Sequence, residues 1–560
     1  MAGLQVLRRT YRHLNRYREV LTILAKHGFG DLLHVLRLDS RLEAGLKVMM
    51  RHPPVDTSSR PGRVLLTIQE LGPTFVKAGQ YLSTRADVIP DEYLSELAKL
   101  QDRVPPFPAE EARRIIEEDL GRPIAKLFAR FDGHPLAAAS IAQVHAATLF
   151  DGSEVVVKVQ RPRIRGIVAA DLEIMARLAA LAERHIEEWR WRRPTRLVAE
   201  IARSLDREMD FSLEAAHVER FARQFSGDAT VRAPKVYRAL SSARVLTLER
   251  LHGIKAGDPA VLEREGLDPR LAAQRLADHY LAMIFTHGFF HADPHPGNLL
   301  VQPDHVIAYL DFGMMGRLDL ATREALADVF LAVSERDQAT LGRALLALAD
   351  RDEEPDPRAF EDDIAELMDQ YAYRPLIEWR LGRMLEQLFQ TTARYHVRIP
   401  PDLYLMVKAL TELESLTRAL SPHFDAISTA IPFVRRVHEE RLAPGRLVER
   451  IAEAGRETLS LLASAPAEIR ELIRQARRGR LLIEFEHKGL EPALAELDQI
   501  SNRLAYAILL GSLVIGSALM VHAGLPPYWR GVSVLGAGGF LLSGVMGFWL
   551  LWAIVRHGRL

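Results

Sequence analysis

Asp293, Asn298 and Asp311 stand five and thirteen residues apart, the first two in His291-Ala-Asp293-Pro-His-Pro-Gly-Asn298 and the third in Asp311-Phe312-Gly313. A carboxylate, an amide and a second carboxylate are what phosphoryl transfer from a metal-bound nucleotide asks of a protein. One group orients the acceptor or its proton, and two hold the metal between the phosphates. The run Val306-Ile-Ala-Tyr-Leu310 reads as a short strand that delivers Asp311. A rival chemistry lies in His287, His291 and His295, spaced four apart. Those imidazoles would line up only on an unbroken helix, and Gly288, Pro294, Pro296 and Gly297 break it.

The spacing is like that of the catalytic loop and Asp-Phe-Gly segment of protein-kinase-like folds. Such a site needs a strand lysine upstream to pair with the α and β phosphates. Lys158 answers in Val155-Val-Val-Lys158; it is one of only 10 Lys against 63 Arg, and it sits in an apolar strand. An edge-strand lysine is the plain alternative. A phosphate-covering turn belongs before that strand. The segment there is Pro135, Leu136, Ala137, Ala138, Ala139, Ser140, Ile141, Ala142 and Gln143, running on to Val144 and His145. It is Ala-rich where a kinase is Gly-rich. Each methyl restricts the backbone and limits how closely amides approach a phosphate, so nucleotide binding is expected in an altered pose. Glu208-Met-Asp210-Phe-Ser-Leu-Glu214 lies on a helical stretch further on, with Glu214 the candidate ion-pair partner of Lys158. Glu208 and Asp210 are too close in sequence to share one helix face.

The elements that must position these groups follow from periodicity. The 560-residue chain is 48% hydrophobic, which predicts two to four domains and excludes a disordered protein. Lys plus Arg (73) equals Asp plus Glu (73), so no global charge draws the chain to nucleic acid, and none is expected as a partner. The absence of cysteine excludes disulfides, thiolate metal sites, iron–sulfur clusters and Cys nucleophiles. Residues 1–120 read as a helical extension punctuated by Pro53-Pro54, Pro90 and Pro105-Pro106. Residues 121–255 read as a small α/β lobe. It contains a hairpin of Ala142–Leu149 and Glu154–Gln160 around an Asp-Gly turn, then a long helix through Asp171 and Leu181, then a strand at Arg244–Arg250. Residues 256–500 read as a helical lobe holding the irregular His/Asp/Pro/Gly stretch.

The end of the chain is of another kind. Leu504–Ala523 (20 residues) and Val532–Val555 (24 residues) carry no formal charge, and each is long enough to span a hydrocarbon core. Gly524-Leu-Pro-Pro-Tyr-Trp-Arg530 between them reads as a tight turn, so residues 504–555 are expected to form two transmembrane helices. Arg503, Arg556 and Arg559 outside the spans, against Arg530 alone in the turn, place both ends and the large N-terminal part on the cytoplasmic side. Ser512/Gly516 and Gly539/Ser543/Gly547 put small residues four apart. That permits close helix packing, though such residues are also simply common in membrane helices. The Arg-rich amphipathic stretch Met1–Leu38 fits a membrane-surface helix, a packing helix with a solvated face, which is the commoner case, or a mitochondrial transit peptide as a third option. Trp189-Arg-Trp191-Arg-Arg-Pro-Thr-Arg196 interleaves aromatics and cations as a nucleic-acid surface does, but beside a membrane tether it fits headgroup contact better, or equally a solvated helix end.

Taken together the motifs resemble the UbiB (AarF/ADCK-type) family of atypical protein-kinase-like proteins, over roughly residues 15 to 480. Lys77-Ala-Gly79-Gln80 matches its Lys-x-Gly-Gln motif, Ala137-Ala-Ala-Ser140 its Ala-rich loop and Glu208-x-Asp210 its acidic motif. The terminal hairpin is similar to that of the bacterial ubiquinone-biosynthesis branch. The resemblance implies an α+β, two-lobed protein-kinase-like fold with an N-terminal helical extension and a C-terminal transmembrane hairpin. It implies ATP and Mg2+ as cofactors, with Asn298 and Asp311 on the metal, Lys158 and Glu214 at the phosphates and Asp293 positioning the attacking water or hydroxyl. It places Lys77, Gly79 and Gln80 near the nucleotide beside Glu208 and Asp210, over the place where a protein substrate would dock. Its implied partners are membrane lipids, quinone precursors and ubiquinone-biosynthesis proteins at a bacterial inner membrane, with a mitochondrial one as the alternative. Ala292 stands where an ordinary kinase has Arg, and no clear Ala-Pro-Glu segment follows, which argues against activation-loop control and peptide binding. An ATPase coupled to quinone handling is therefore the expected function. A true kinase and a nucleotide-binding scaffold are the alternatives.

Overall fold

The computed structural model describes residues 16–29, 59–83, 85, 88–100, 104–186, 189, 193–349, 356–372, 378–395, 397–442, 490–529 and 532–556. The chain divides into two units, Met1–Arg450 and Ile451–Leu560.

In the first unit, alternation in Glu154–Gln160 sets the small lobe. Val155, Val157 and Val159 are buried on one face, and Val156 and Lys158 point to the other. This strand, β3 (Glu154–Gln160), pairs antiparallel with β2 (Ala142–Thr148), which pairs with β1 (Arg130–Ala138). The turn at Asp151-Gly152 is the one the hairpin pattern anticipates, with Gly152 at φ +86°, where a side chain would be strained. A short β4 (Val231–Arg232) joins another sheet, and β5 (Val245–Glu249) closes the first on the far side of β3. Strand β1 is absent from the hydrophobic pattern because its segment is Ala- and Gly-bearing and has no buried residue. The buried valines meet Ala112, Ile115 and Ile116 of the helix Ala109–Leu120. That helix, which lies inside the expected extension, therefore packs as part of the small lobe. Burial of each such aliphatic side chain contributes about 1.5–3 kcal/mol.

The extension is a set of helices laid on α5 (Ile164–His185) and α6 (Pro194–Glu208): α1 (16–26), α2 (Arg60–Leu71) and α3 (Pro73–Leu82), with Ala109–Leu120 taken as α4. Arg16 Nε donates to the buried Asp171 carboxylate at 2.7 Å, and Val20 and Leu21 are fully covered. Residues 16–26 are thus a packing helix, and residues 1–15 lie outside the described residues. Residues 190–192 of the Trp189–Arg196 patch lie outside them too.

The larger lobe is mostly helical. One contiguous core joins α7 (Phe211–Gln224), α8 (Pro269–Leu281), α9 (Leu320–Glu335) and α10 (Pro401–Leu420). Short strands interrupt it. The strands β6 (Ile254–Lys255), β8 (Leu299–Val301) and β9 (Ile307–Tyr309) complete a sheet with β4, and β7 (Phe289–His291) pairs with β10 (Met315–Arg317). Of these, β9 is the strand read in Val306–Leu310; the others are too short to show a period.

In the second unit, α11 (Leu490–His522) and α12 (Val534–Arg556) pack against each other. A Cβ on Gly539 would lie 2.1 Å from Ser517 Oγ, and one on Gly536 would lie 3.0 Å from Ser517 O. The small residues of α12 do permit close approach. Their counterpart is Ser517, which is buried, and not Ser512, which is exposed, or Gly516, which has open space beside its Cα. Among the described residues one helix, Leu504–His522, is long and apolar enough to cross a membrane; Val534–Phe548 is apolar but shorter.

Candidate active site

Register places the first member. Lys158 stands opposite Val144 on β2 and Leu246 on β5, in mid-sheet, with its side chain on the face away from the valine core. Asp210 starts α7 as its N-cap, accepting from Ser212 N–H at 3.0 Å, and this brings Glu214 into the first turn of that helix. Lys158 Nζ then donates to both Glu214 oxygens, at 2.8 and 2.9 Å. It lies 5.4 Å from the centre of the Phe211 ring and 3.7 Å from Asp311 Oδ2. The two lobes are therefore joined at this ammonium. Burial works to lower the Lys158 pKa, but the charges of Asp311 and Glu214 outweigh it and hold the amine well above its usual range.

The lower half is built by a fold-back. Gly288, at φ +59°, ends the helical run; a Cβ there would lie 2.3 Å from Leu318 O. Strand β7 follows and delivers His291 into the core. His291 Nδ1 accepts from Asp293 N–H at 3.2 Å, so its Nε2–H donates to the Asp311 carbonyl. Burial pushes its pKa down, which keeps the ring neutral and this tautomer fixed. Leu299 of β8 pairs with Tyr309 of β9, and Leu310 N–H donates to Asn298 O at 3.0 Å. The thirteen-residue gap between Asn298 and Asp311 is a hairpin whose two ends meet. Asn298 Nδ2 donates to Asp293 Oδ2 (3.0 Å) and Asp293 O (3.1 Å). Asp311 Oδ1 accepts from Gly313 N–H at 2.8 Å. Burial would raise the Asp311 pKa, but Lys158, the Gly313 N–H, His291 and Lys77 bring it down to about 2.

The remaining sequence candidates divide. Lys77 on α3 forms an ion pair with Glu208 at the end of α6, so the extension reaches the acidic motif. Gly79 is required for that packing: a Cβ would lie 2.4 Å from Leu100 Cδ1 and 3.2 Å from Ile68 Cγ2. We expect Gly79→Ala to cost about 1–3 kcal/mol through overpacking, read as a lowered thermal midpoint with the Lys77 pair loosened. Gln80 is bonded inside the extension. Its Nε2 donates to Leu100 O at 3.3 Å, within the extension. Asp210 serves as the α7 N-cap, because a helix must begin there to carry Glu214. In the Ala-rich segment, Pro135, Leu136, Ala137 and Ala138 lie on β1, with Leu136 exposed; Ala139, Ser140 and Ile141 form the turn; Ala142 and Gln143 open β2. Ile141 is buried against Ala78 of α3, Val168 and Met209, and Gln143 is buried, bonded to Phe107 N–H and C=O. The turn is thus anchored to the extension.

Arg161 ties down this turn and has no motif to mark it. Its Nε donates to Ala139 O at 2.8 Å and its N–H to Ile141 O at 2.8 Å. The one signal for it was its place immediately after the Lys158 strand. Among the described residues no cluster of three or more His, Cys, Asp or Glu forms a self-sufficient metal cage. Asn298, with its amide nitrogen on Asp293, keeps its oxygen, and Asp311 offers a carboxylate. Two hard oxygens of this kind suit a magnesium ion whose other ligands are phosphate and water.

A sheet lobe with a lysine–glutamate pair, set over a helical lobe with an aspartate–asparagine loop and an Asp-Phe-Gly segment, defines a kinase-like protein. The chain belongs to the ABC1/UbiB family: residues 99–345 match the ABC1 atypical kinase-like domain, 364–425 the UbiB helical domain and 488–556 the ABC1/UbiB kinase-like C-terminal domain. It is 34% identical to a probable protein kinase UbiB of Marinobacter nauticus, over 88% of this chain and 92% of that one. It is 30% identical to an uncharacterized protein encoded in the hydrogenase 1 5′ region of Clostridium pasteurianum, over 97% and 99%. Among solved structures, a Mycobacterium tuberculosis protein in complex with erythromycin is 25% identical and covers 61% of this chain and 87% of its own, with a TM-score of 0.43.

Proposed function

We propose that this chain is an ATP-binding atypical kinase-like ATPase of ubiquinone biosynthesis. In this reading it is anchored in a bacterial inner membrane with its kinase-like unit in the cytoplasm, and ATP hydrolysis is coupled to the handling of quinone precursors. One observation carries the reading: Lys158 Nζ stands between the Glu214 carboxylate at 2.8 Å and Asp311 at 3.7 Å, while Asn298 clamps Asp293 at 3.0 Å. Lys158 binds the α and β phosphates, and Glu214 fixes where its charge sits. Asn298 and Asp311 hold magnesium, which supplies charge neutralisation for the phosphates. Asp293, oriented by Asn298 and by its own N–H on His291, sets the attacking oxygen and holds its proton.

The pairing of Lys77 with Glu208, and the packing of Ala78 on the Ala-rich turn, support hydrolysis over protein phosphorylation, because α3 occupies a rim that an acceptor peptide would need. The apolar helix Leu504–His522 supports the membrane anchor, and the names of the UbiB relatives support the ubiquinone role. The test is the purified full chain in lipid vesicles with γ-labelled ATP and magnesium, with and without a phenol resembling a quinone head. Free labelled phosphate, stimulated by the phenol, supports the reading. Label transferred stably to protein or lipid makes the chain a kinase, and no turnover makes it a scaffold.

A further inference from the structure

Helix α7 carries more than Glu214 on its side toward the Asp-Phe-Gly segment. His217 stands three residues on and Phe221 four beyond that, so both follow Glu214 along one side of the helix. The Phe221 ring meets the Phe312 ring edge-on, with centres 5.1 Å apart. His217 reaches the backbone of the same residue, its Nδ1 lying 3.1 Å from Phe312 O. A carbonyl oxygen can only accept, so Nδ1 carries the proton and donates. The half-buried imidazole leans on the buried Phe289 of β7, with ring centres 5.7 Å apart, and Arg220 sets its guanidinium 4.0 Å from the centre of that same ring. The carbonyl that His217 holds belongs to a peptide unit with a second task. The other end of that unit, the Gly313 N–H, donates to Asp311 Oδ1 at 2.8 Å. A trans peptide is planar and its C=O and N–H point to opposite sides, so holding one end aims the other. The fit is close: a Cβ on Gly313 would lie 3.1 Å from Asp311 Oδ1. The preceding carbonyl, Asp311 O, receives the Nε2–H of His291. Two successive peptide units are thus each held by an imidazole, one from the core of the larger lobe and one from α7.

We propose that His217 is a positioning residue for Asp311: by holding the Phe312 carbonyl it fixes the peptide plane that aims the Gly313 N–H at Asp311 Oδ1. With Oδ1 tied, the direction of Oδ2, which lies 3.7 Å from Lys158 Nζ, is set as well. The same helix fixes Lys158 through Glu214, at 2.8 and 2.9 Å. One rigid element therefore places both the phosphate-binding ammonium and the metal-binding carboxylate, and a shift of α7 releases both together. Without the His217 bond the Phe312–Gly313 peptide is free to turn, the Gly313 N–H leaves the carboxylate, and Asp311 loses its fixed rotamer. The inference rests on the proposed ATPase reading at one point, the role of Asp311 as a metal ligand.

The experiment uses the full chain in lipid and two readouts that need no turnover. One is amide exchange at Gly313 with neither nucleotide nor metal present, resolved by overlapping fragments. The other is the manganese concentration that half-saturates the complex with a non-hydrolysable ATP analogue, manganese standing in for magnesium. His217→Phe keeps a ring against Phe289 and removes the donor, while His217→Asn sets an amide N–H close to where the Nδ1–H stood. His217→Phe is expected to speed Gly313 exchange by about 3–10-fold and to raise the half-saturating manganese concentration by about 10–100-fold. His217→Asn recovers most of both, and the affinity for the analogue without metal stays near wild type in each. Gly313 exchange or a manganese requirement unchanged in His217→Phe overturns the proposal, and so does an equal loss in His217→Asn. If the wild type binds no metal with the nucleotide, the proposed function fails, and Gly313 exchange alone then decides whether His217 holds the peptide.

Discussion

Asp293→Asn is expected to lower ATP hydrolysis by about 10²–10⁴-fold while leaving ATP affinity within a few-fold of wild type. The amide keeps the size and the hydrogen bond to Asn298, which can turn its own amide to suit, but it cannot accept a proton. Asp293 is held by three contacts: Asn298 Nδ2 on its carboxylate at 3.0 Å, the same nitrogen on its carbonyl at 3.1 Å, and its N–H on His291 Nδ1 at 3.2 Å. The loop geometry therefore survives the change, and the loss falls on the chemical step. Steady-state phosphate release and nucleotide titration on the same preparation separate the two. A variant that turns over near the wild-type rate removes Asp293 from the chemistry.

Lys158→Ala should cost about 3–5 kcal/mol locally, because it strands the Glu214 carboxylate with its cation gone. Glu214 is 5% exposed and sits in the first turn of α7, and both its oxygens accept from Lys158 Nζ at 2.8 and 2.9 Å. The loss is read as faster amide exchange along α7 and β3. The double change Lys158→Met with Glu214→Leu removes the orphaned charge and restores most of the protection, while nucleotide binding stays lost. If the single variant exchanges as slowly as the double one, the pair does not organise the join between the lobes.

The part of the site that sequence made legible is the part whose residue types are rare in their settings. Lys158 stood out as a lysine in a valine strand of a lysine-poor chain, and Asp293, Asn298 and Asp311 by their spacing; the hairpin of β8 and β9 shows why that spacing brings the last two together. Local chemistry also made the β2–β3 hairpin readable, through alternation and the Asp-Gly turn. What stayed hidden depends on partners distant in sequence. Gln80 and Gln143 each satisfy a backbone group, Leu100 O for one and Phe107 for the other, and no local pattern reveals such a partner. Asp210 reads as one acid of a pair until α7 is seen to start on it. Strands β6 to β8 and β10 have two or three residues each, too short for a period of two to show.

The account stands or falls on whether one ammonium and three oxygen-bearing side chains address the same triphosphate. A structure of the full chain with a non-hydrolysable ATP analogue and magnesium tests this most directly. The account predicts Lys158 Nζ on the α and β phosphate oxygens, the metal between Asn298 and Asp311, and the γ phosphate facing Asp293. A nucleotide bound elsewhere, or one bound with Lys158 still locked on Glu214 and Asp311 and no metal between Asn298 and Asp311, would contradict it.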